Sequence, residues 1–340
     1  MLRYAVLISF LACLAVAVNP TTALAQQSSD EDDVVRVNTD LLLFPVRIRD
    51  KKGQAVTGLT DQDLALKDPD QVTTSVYFSP GADRVAMVFA LDQSGSLRQI
   101  IEQQREAALG LFTHFGERSS VAIVRFSETA ALVAPFTKDL ANARAAFKFR
   151  AAPNEKTAIF DAAATSLTAF EDLTPSRTER RIVILLSDGL DTRSHTNPDT
   201  VIEAALEQHV SFYVIHLPLF EPRNGHLEVR RPSKGFKELA EKTGGKYFLA
   251  GDVKSALAPT TIDLAPIFQA IEEDLKSQYL LGFYIAETRR DNRKHVFSVS
   301  MKPDGVEYSV GQQGYSRSHK FMINLSPNEK KPSNSDNPHD

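Results

Sequence analysis

The feature that most constrains the fold is a regular alternation of apolar, strand-like runs with helix-like segments between about residues 84 and 280. The clearest run, Val85–Ala90, carries no polar side chain, which is typical of a strand buried on both faces of a parallel sheet. Ile182–Leu186 has the same character. Because strands that alternate with helices indicate βαβ units, we predict an α/β fold with a doubly wound, mainly parallel sheet flanked by helices.

The order of the predicted elements follows from the same pattern. The predicted strands of this sheet are 85–90, 121–126, 131–136 (an edge strand), 182–186, 211–217 and 246–249. The predicted helices are 98–115, 158–170, 198–208, 236–242 and 267–277. Pro198 favours the start of its helix, because the first turn has no intrahelical partner for the N–H that proline lacks.

Two segments with β-type patterns flank the α/β region. Residues 37–80 precede it and residues 281–318 follow it, and neither is long enough to bury a core by itself. We therefore expect the two segments to pack together as one small β unit. Residues 26–36 are polar and acidic and are predicted to form a flexible lead-in, and residues 319–340 are predicted to be a disordered tail.

Residues 1–25 have the pattern of a secretory signal. Arg3 precedes an apolar stretch, Ala5–Val18, and Ala23-Leu24-Ala25 is a small-x-small cleavage site. A membrane anchor is the alternative, but this stretch is shorter than the roughly 20 residues that span a bilayer. A lipoprotein signal ending at Cys13 is a second alternative, although the residues after it stay apolar.

We therefore expect an exported protein, periplasmic or secreted, with no stable membrane span once the signal is cleaved. Cys13 is the single cysteine, so the mature chain would contain no disulfide. The formal net charge is −4 and no basic tract is present, which argues against nucleic acid as a partner.

Oxygen-bearing side chains follow the two buried strands. Asp92, Ser94 and Ser96 alternate in a turn-forming stretch after the first strand, and Asp188 comes directly after the second. The carboxyl ends of parallel strands meet at one edge of the sheet, where ligands normally bind. Thr157 lies in a loop just ahead of a helix between them. Carboxylate and hydroxyl oxygens suit a hard cation, and we predict Mg²⁺, or Mn²⁺ or Ca²⁺, at this edge.

A second interpretation of the same residues needs no metal. Asp, Ser and Thr are favoured N-cap residues, so Asp92 and its serines could cap the following helix. Thr157 could cap its own helix, and one residue could both cap the helix and bind the metal. Two neighbours of Asp188 leave similar choices open. Asp191 could support a metal ligand, although a solvated loop acid is the simpler interpretation, and His195 could contact a partner or be an ordinary surface histidine.

With these residues in place, the chain resembles the von Willebrand factor type A domain over residues 82–280. Asp92-x-Ser94-x-Ser96, Thr157 and Asp188 have the order and context of that family's metal-ion-dependent adhesion site. The resemblance implies a Rossmann-like fold in which Ser94, Ser96 and Thr157 offer hydroxyls and the two aspartates bind the ion directly or through water. It also implies one open position for a partner's carboxylate.

Two further comparisons with the family concern the surroundings of the motif. The family often has glycines before the threonine, where this chain has Glu155 and Lys156. The flanking β segments resemble those of a subfamily of secreted bacterial proteins abundant in acidobacteria. The segments that carry this narrower resemblance are 56–60 (Val-Thr-Gly-Leu-Thr) and 277–284 (Ser-Gln-Tyr-Leu-Leu-Gly-Phe-Tyr).

The resulting hypothesis is an exported, adhesion-type binding module that captures an Asp or Glu carboxylate of a protein partner through a divalent cation. The alternative is a structural or assembly protein in which the metal only stabilises the fold. A metal-dependent hydrolase is a third hypothesis. The sequence contains no His-Glu-x-x-His, Gly-x-Ser-x-Gly or phosphate-loop motif and its eight histidines are scattered, so we expect no enzymatic activity.

Overall fold

The central sheet has six strands, and Asp92 and Asp188 of the predicted polar motif lie at its carboxyl edge. In the computed structural model, the described residues are 40–50, 52, 54–67, 76–81, 84–94, 101–115, 119–148, 156–173, 179–252, 262–285, 295–301, 306–310, 315–316 and 319–325. They belong to one compact unit, residues 39–340. The predicted signal segment, the predicted lead-in and Ser96 lie outside them.

Five strands of the central sheet are parallel and one edge strand is antiparallel. The strands are β4 (Arg84–Asp92), β5 (Ser120–Phe126), β6 (Ala130–Thr137), β7 (Glu179–Ser187), β8 (Val210–His216) and β11 (Tyr247–Leu249). Their order is β11-β8-β7-β4-β5-β6, with β6 antiparallel to β5. The prediction of a mainly parallel, doubly wound sheet is therefore confirmed.

Strand β4 is buried along almost its whole length, because helices cover both faces of the sheet. Its alternate side chains enter two separate cores, Met87 and Phe89 into one, Ala86 and Val88 into the other. The helices are α1 (Ile101–Phe115), α2 (Leu140–Ala146), α3 (Ile159–Thr168), α4 (Pro198–Glu207), α5 (Phe236–Thr243) and α6 (Ala265–Ser277). This two-sided burial explains why the strand sequence is apolar without alternation.

Strands from the two ends of the chain pair with each other, as predicted. The N-terminal strands are β1 (Asp40–Asp50), β2 (Leu64–Lys67) and β3 (Val76–Pro80), with a short 3-10 helix at Asp61–Asp63. The C-terminal strands are β12 (Gln278–Ile285), β13 (His295–Met301), β14 (Val306–Val310), β15 (Tyr315–Ser316) and β16 (His319–Leu325). They form two four-stranded sheets, β14-β1-β12-β3 and β15-β16-β13-β2, so each sheet contains strands from both segments.

A buried ion pair joins the first of these sheets to the α/β region. Arg47 on β1 donates from Nε and Nη2 to the two carboxylate oxygens of Asp274 on α6, at 2.8 and 2.7 Å. Tyr213 and Gln278 also donate to Asp274, at 2.8 and 2.6 Å. Since both charged groups are buried, this network fixes β1 against α6.

Several elements were not predicted from the sequence, among them one helix, one hairpin and the last strand. Helix α2 begins after Asp139, whose carboxylate accepts a hydrogen bond from the N–H of Ala141. Strands β9 (Phe220–Arg223) and β10 (His226–Val229) form an antiparallel hairpin. The prediction of a disordered tail from residue 319 was wrong for its first part, because β16 pairs in parallel with β13 there. Residues 326–340 lie outside the described part of the chain.

Within the described residues, no helix is both long enough and apolar enough to span a membrane.

Candidate metal centre

Asp92 and Asp188, two of the predicted metal ligands, lie where the strand order of the central sheet reverses. Strand β4 is flanked by β5 on one side and by β7 on the other, both parallel to it. Asp92 is the last residue of β4, and Asp188 directly follows the last residue of β7. Two aspartates therefore lie side by side at the carboxyl edge, in the crevice where open α/β sheets bind ligands.

The Asp92 carboxylate is completely buried and accepts hydrogen bonds from Ser94 and Ser187. Oδ1 accepts from the backbone N–H of Ser94 at 2.8 Å, and Oδ2 accepts from the hydroxyl of Ser187 at 2.7 Å. Burial raises the pKa of Asp92 to about 6, and the nearby charge of Asp188 acts in the same direction. Among the described residues, Asp92 forms no ion pair with a basic side chain. A buried carboxylate beside a second one is a favourable position for a cation.

Only one of the two serines of the motif lies in the described part of the chain. Ser94 is buried beside Asp92. Ser96 lies outside the described residues, so its place in the centre stays a prediction. Both described partners of Asp92, Ser94 and Ser187, lie outside helix α1, which begins at Ile101. Within the described part of the chain, no hydrogen bond therefore supports the interpretation of Asp92 as a cap of this helix.

Thr157 is buried and held between the ends of β5 and β7. Its N–H donates to the hydroxyl of Thr192 at 2.9 Å, and its carbonyl accepts from the N–H groups of Thr192 and Arg193 at 2.9 and 3.1 Å. The next residue, Ala158, donates to the carbonyl of Ser127 just after β5 at 2.7 Å. The N-cap of α3 is Ala158, so the interpretation of Thr157 as the N-cap was wrong.

Asp191 carries out the capping that Thr157 does not. Its Oδ1 accepts from the N–H of Ile159 at 2.8 Å and from the hydroxyl of Ser194 at 2.6 Å. Ser194 in turn accepts from the N–H of Phe160 at 2.8 Å. The interpretation of Asp191 as a solvated loop acid was therefore wrong, since it ties the loop after β7 to the start of α3, beside Thr157.

His195 is a surface residue, as the simpler interpretation had it. Its side chain is 78% exposed, and its Nδ1 lies 3.3 Å from a carboxylate oxygen of Asp161. Asp161 also accepts from the backbone N–H groups of His195 and Thr196, which lowers the pKa of this carboxyl although partial burial opposes the effect. His195 thus has a local partner at the surface of the loop.

A buried histidine supports the Asp188 loop from below. Nε2 of His216, the last residue of β8, lies 2.9 Å from the carbonyl oxygen of Asp188, and Nδ1 contacts the hydroxyl of Tyr247. Because a carbonyl only accepts, Nε2 carries the proton and Nδ1 accepts from the tyrosine. Burial lowers the pKa of His216, which favours its neutral form. Sequence reasoning missed this residue, and its position in an apolar strand gave no signal for it.

Gly189 allows this close packing. Its φ of +80° is a conformation that favours glycine, and an added Cβ would lie 2.8 Å from Pro232 and 3.1 Å from Nε2 of His216. Asp188 itself accepts the N–H of Leu190 on Oδ1 at 3.0 Å. The loop backbone at Asp188 is therefore fixed on several sides.

The donor set suits a hard divalent cation. The two aspartates and the hydroxyls of Ser94 and Thr157 are all oxygen donors, the ligands that Mg²⁺, Mn²⁺ and Ca²⁺ prefer. Within the described ranges, no group of three or more His, Cys, Asp or Glu side chains could hold a metal. A centre at this edge would therefore depend on hydroxyls as well as carboxylates.

Comparison with known proteins agrees with the architecture. Residues 87–190 match the family model of the von Willebrand factor type A domain. The match runs from β4 to the loop after β7 and includes Asp92, Ser94, Ser96, Thr157 and Asp188. The chain contains a von Willebrand factor type A domain. The resemblance predicted for this region is confirmed, whereas the narrower resemblance of the flanking segments stays a prediction.

Solved structures with similarity to the chain include three from different organisms. The protein BatB from Bacteroides thetaiotaomicron is 21% identical, with 56% of this chain and 99% of that chain covered and a TM-score of 0.43. A von Willebrand factor type A protein from Catenulispora acidiphila is 15% identical, covering 81% and 73%, with a TM-score of 0.44. Proximal thread matrix protein 1 from the mussel byssus, described with a zinc-occupied MIDAS motif, is 16% identical, covering 62% and 50%, with a TM-score of 0.47. None of the curated proteins compared with the chain matches it.

Proposed function

We propose that this protein is an exported, metal-dependent binding module that captures a carboxylate of a protein partner through a divalent cation. The cation would be held at the carboxyl edge of the type A domain by Asp92, Ser94, Ser96, Thr157 and Asp188. Mg²⁺ is the ion of first choice, with Mn²⁺ or Ca²⁺ as alternatives. Export rests on the signal-like pattern of residues 1–25.

The observation that carries the proposal is the environment of Asp92. Its carboxylate is fully buried next to Asp188, and its described hydrogen-bond partners are neutral groups. Removing a carboxylate from water is unfavourable unless an opposite charge compensates it. A divalent cation between the two strand ends would supply that charge and would reverse the effect of burial on the pKa of Asp92.

The same donor set explains why a partner's carboxylate would be attracted. Few of the proposed ligands are anionic, and the hydroxyls of Ser94 and Thr157 donate little negative charge to the ion. Two ionised aspartates balance the formal charge of the ion, but an aspartate that binds through water leaves few anionic oxygens in direct contact with it. The ion then favours an additional anionic oxygen. We assign binding rather than catalysis, because the sequence carries none of the hydrolase motifs considered above.

The proposal is tested by calorimetric titration of Mg²⁺ and Mn²⁺ into the purified protein and into Asp92→Asn. We expect saturable one-site binding that the substitution abolishes. Asp172→Asn is the matched control, because Asp172 is exposed beyond the end of α3, at the opposite edge of the sheet. The same titration with Thr157→Ala should give weaker binding, since one neutral oxygen donor is lost.

Far-UV circular dichroism of each variant separates loss of the site from loss of the fold. Absence of saturable binding by the folded wild-type protein would refute the proposal. Binding that persists unchanged in folded Asp92→Asn would place the ion elsewhere. Metal binding without any metal-dependent affinity for carboxylate peptides would instead favour the alternative in which the ion only stabilises the fold.

A further inference from the structure

Four exposed basic residues lie in or next to the loops that carry the candidate metal centre, although the whole chain carries a net charge of −4. They are Lys156, Arg193, Arg231 and Lys234, and all four are exposed. Within the described part of the chain, none of them forms an ion pair. We refer to these four residues as the basic collar.

Backbone hydrogen bonds hold the collar next to the proposed ligands. Lys156 directly precedes Thr157, and the N–H of Arg193 donates to the carbonyl of Thr157 at 3.1 Å. The segment from Arg231 to Lys234 returns from the β9–β10 hairpin to the Asp188 loop.

Ser233 fixes that returning segment at two points. Its N–H donates to the carbonyl of Gly189 at 2.8 Å, and its hydroxyl accepts from the N–H of Asp191 at 2.9 Å. Arg231 lies two residues before Ser233, and Lys234 lies one residue after it. Both basic residues are therefore close in sequence to a contact with the metal-site loop.

Most acidic side chains of the same loops are already engaged. The Asp191 carboxylate accepts from Ile159 and Ser194, and the Asp161 carboxylate accepts from His195 and Thr196. Glu128 is exposed and accepts the N–H of Lys156 at 3.4 Å, a long hydrogen bond. These hydrogen bonds do not neutralise Asp161 and Asp191, but they hold both carboxylates partly buried in the loops. Among the described residues of these loops, the exposed charged side chains are the four of the basic collar and Glu128.

We infer that the partner of this site is a protein segment with several carboxylates, one for the metal position and others for the basic collar. This inference rests on the proposed function and specifies its partner class. A collar of like charge disfavours the cation itself, so it has no use in metal binding, whereas it favours a polyanionic ligand. Exposed Leu227 and Val229 on the adjoining hairpin offer apolar contacts that suit a peptide better than a polysaccharide.

The test compares two fluorescein-labelled peptides of equal length by fluorescence anisotropy in Mg²⁺ at low ionic strength. One peptide carries three glutamates alternating with glycine, and in the other two of the glutamates are replaced by glutamine. We expect the wild-type protein to bind the three-glutamate peptide about tenfold more tightly, since each exposed ion pair contributes a modest, salt-sensitive increment.

The collar variant combines Arg193→Gln, Arg231→Gln and Lys234→Gln, and it leaves Lys156 in place because of its position beside Thr157. Its matched control combines Lys138→Gln, Arg144→Gln and Lys148→Gln, which remove the same charge from exposed positions around α2, beyond the far end of β6. We expect only the collar variant to lose the preference for the three-glutamate peptide, with Mg²⁺ affinity by calorimetry unchanged or increased.

The outcomes separate this inference from the proposed function. Equal affinity for the two peptides in wild-type protein that binds Mg²⁺ would overturn the inference and leave the proposed function intact. Absence of saturable Mg²⁺ binding by the folded wild-type protein would refute the proposed function itself. Tighter binding of polygalacturonate than of the three-glutamate peptide, at equal carboxylate concentration, would overturn the assignment to a protein segment.

Discussion

Replacement of Asp274 by asparagine should destabilise the protein strongly, because it breaks a buried ion pair without changing the shape of the side chain. The Asp274 side chain has no exposed surface, and Arg47, which pairs with it, is 10% exposed. Removing one partner of such a pair leaves the other charge buried without compensation, which costs about 3 to 5 kcal/mol. We expect this decrease in the free energy of unfolding for Asp274→Asn at pH 7.

The pKa of Asp274 gives a second, independent magnitude. Burial by itself would raise this pKa, but the hydrogen bonds and charge of Arg47, with a contribution from Lys246, lower it from 3.8 to about 2. A shift of that size corresponds to about 2 to 3 kcal/mol of stability. Because the folded-state pKa is lowered, this stability is present above pH 4 and is lost as the pH falls towards 2.

The assay is urea denaturation followed by far-UV circular dichroism, since the chain contains no tryptophan. Wild-type protein and Asp274→Asn are compared at pH 7 and at pH 2.5, and the difference between them should shrink at the lower pH. The matched control is Glu272→Gln on the same helix. Glu272 is 18% exposed, and its partners Lys276 and His114 are 50% and 51% exposed. Pairs with partners this exposed contribute about 1 kcal/mol or less.

Two results would refute this reasoning. One is a cost for Asp274→Asn no larger than that of Glu272→Gln at pH 7. The other is a difference between wild type and Asp274→Asn that does not change between pH 7 and pH 2.5, because the ionised carboxylate would then not be the source of the stability.

Three further predictions concern the supports of the candidate metal centre. Ser187→Ala removes the hydroxyl that donates to Asp92. Mg²⁺ binding measured by calorimetry should become roughly tenfold weaker, as it does when other groups that orient metal ligands are removed. An unchanged affinity for Mg²⁺ would contradict this role. Asp191→Ala removes the acceptor of the Ile159 N–H. The free energy of unfolding measured by urea denaturation should fall by about 1 to 2 kcal/mol, as it does when a helix cap is lost, and Mg²⁺ binding should weaken. An unaltered unfolding midpoint would contradict this prediction. Gly189→Ala places a Cβ 2.8 Å from its nearest neighbour at a φ of +80°, so thermal unfolding should occur at a lower temperature, and an equal or higher midpoint would show that the loop relaxes freely.

The central sheet was predictable because its inner strands, β4, β5, β7 and β8, are buried on both faces. Such strands have long apolar runs, and the helices between them begin and end at recognisable residues, such as Pro198 at the start of α4. Pairing of the flanking segments followed from size, since neither segment can bury a core by itself. The hairpin β9–β10 was missed although Asn224-Gly225, a strong turn signal, lies at its centre. Its strands are short and exposed, so they lack the apolar pattern on which the other strand predictions depended.

The order of the predicted strands correctly indicated that Asp92 and Asp188 lie at one edge of the sheet. Asp92 and Asp188 follow parallel neighbours, so their proximity is a consequence of topology rather than of a local motif. The network around Asp274 had no such signal, because Arg47 is 227 residues away in sequence. A charged residue within a strand pattern predicts exposure by default, and only the tertiary structure supplies the partner that makes its burial possible.

Asp191 shows why the supports of a site are harder to predict than its ligands. A ligand is recognised by its own chemistry at a strand end, whereas a support is recognised by what it contacts. Asp191 and Ser194 cap helix α3 from a loop more than thirty residues away. Thr157, which the sequence suggested as a possible cap, does not cap this helix. Within the described residues its hydroxyl makes no capping bond to the helix, so the cap supplied by Asp191 is compatible with the proposed role of Thr157 as a metal ligand.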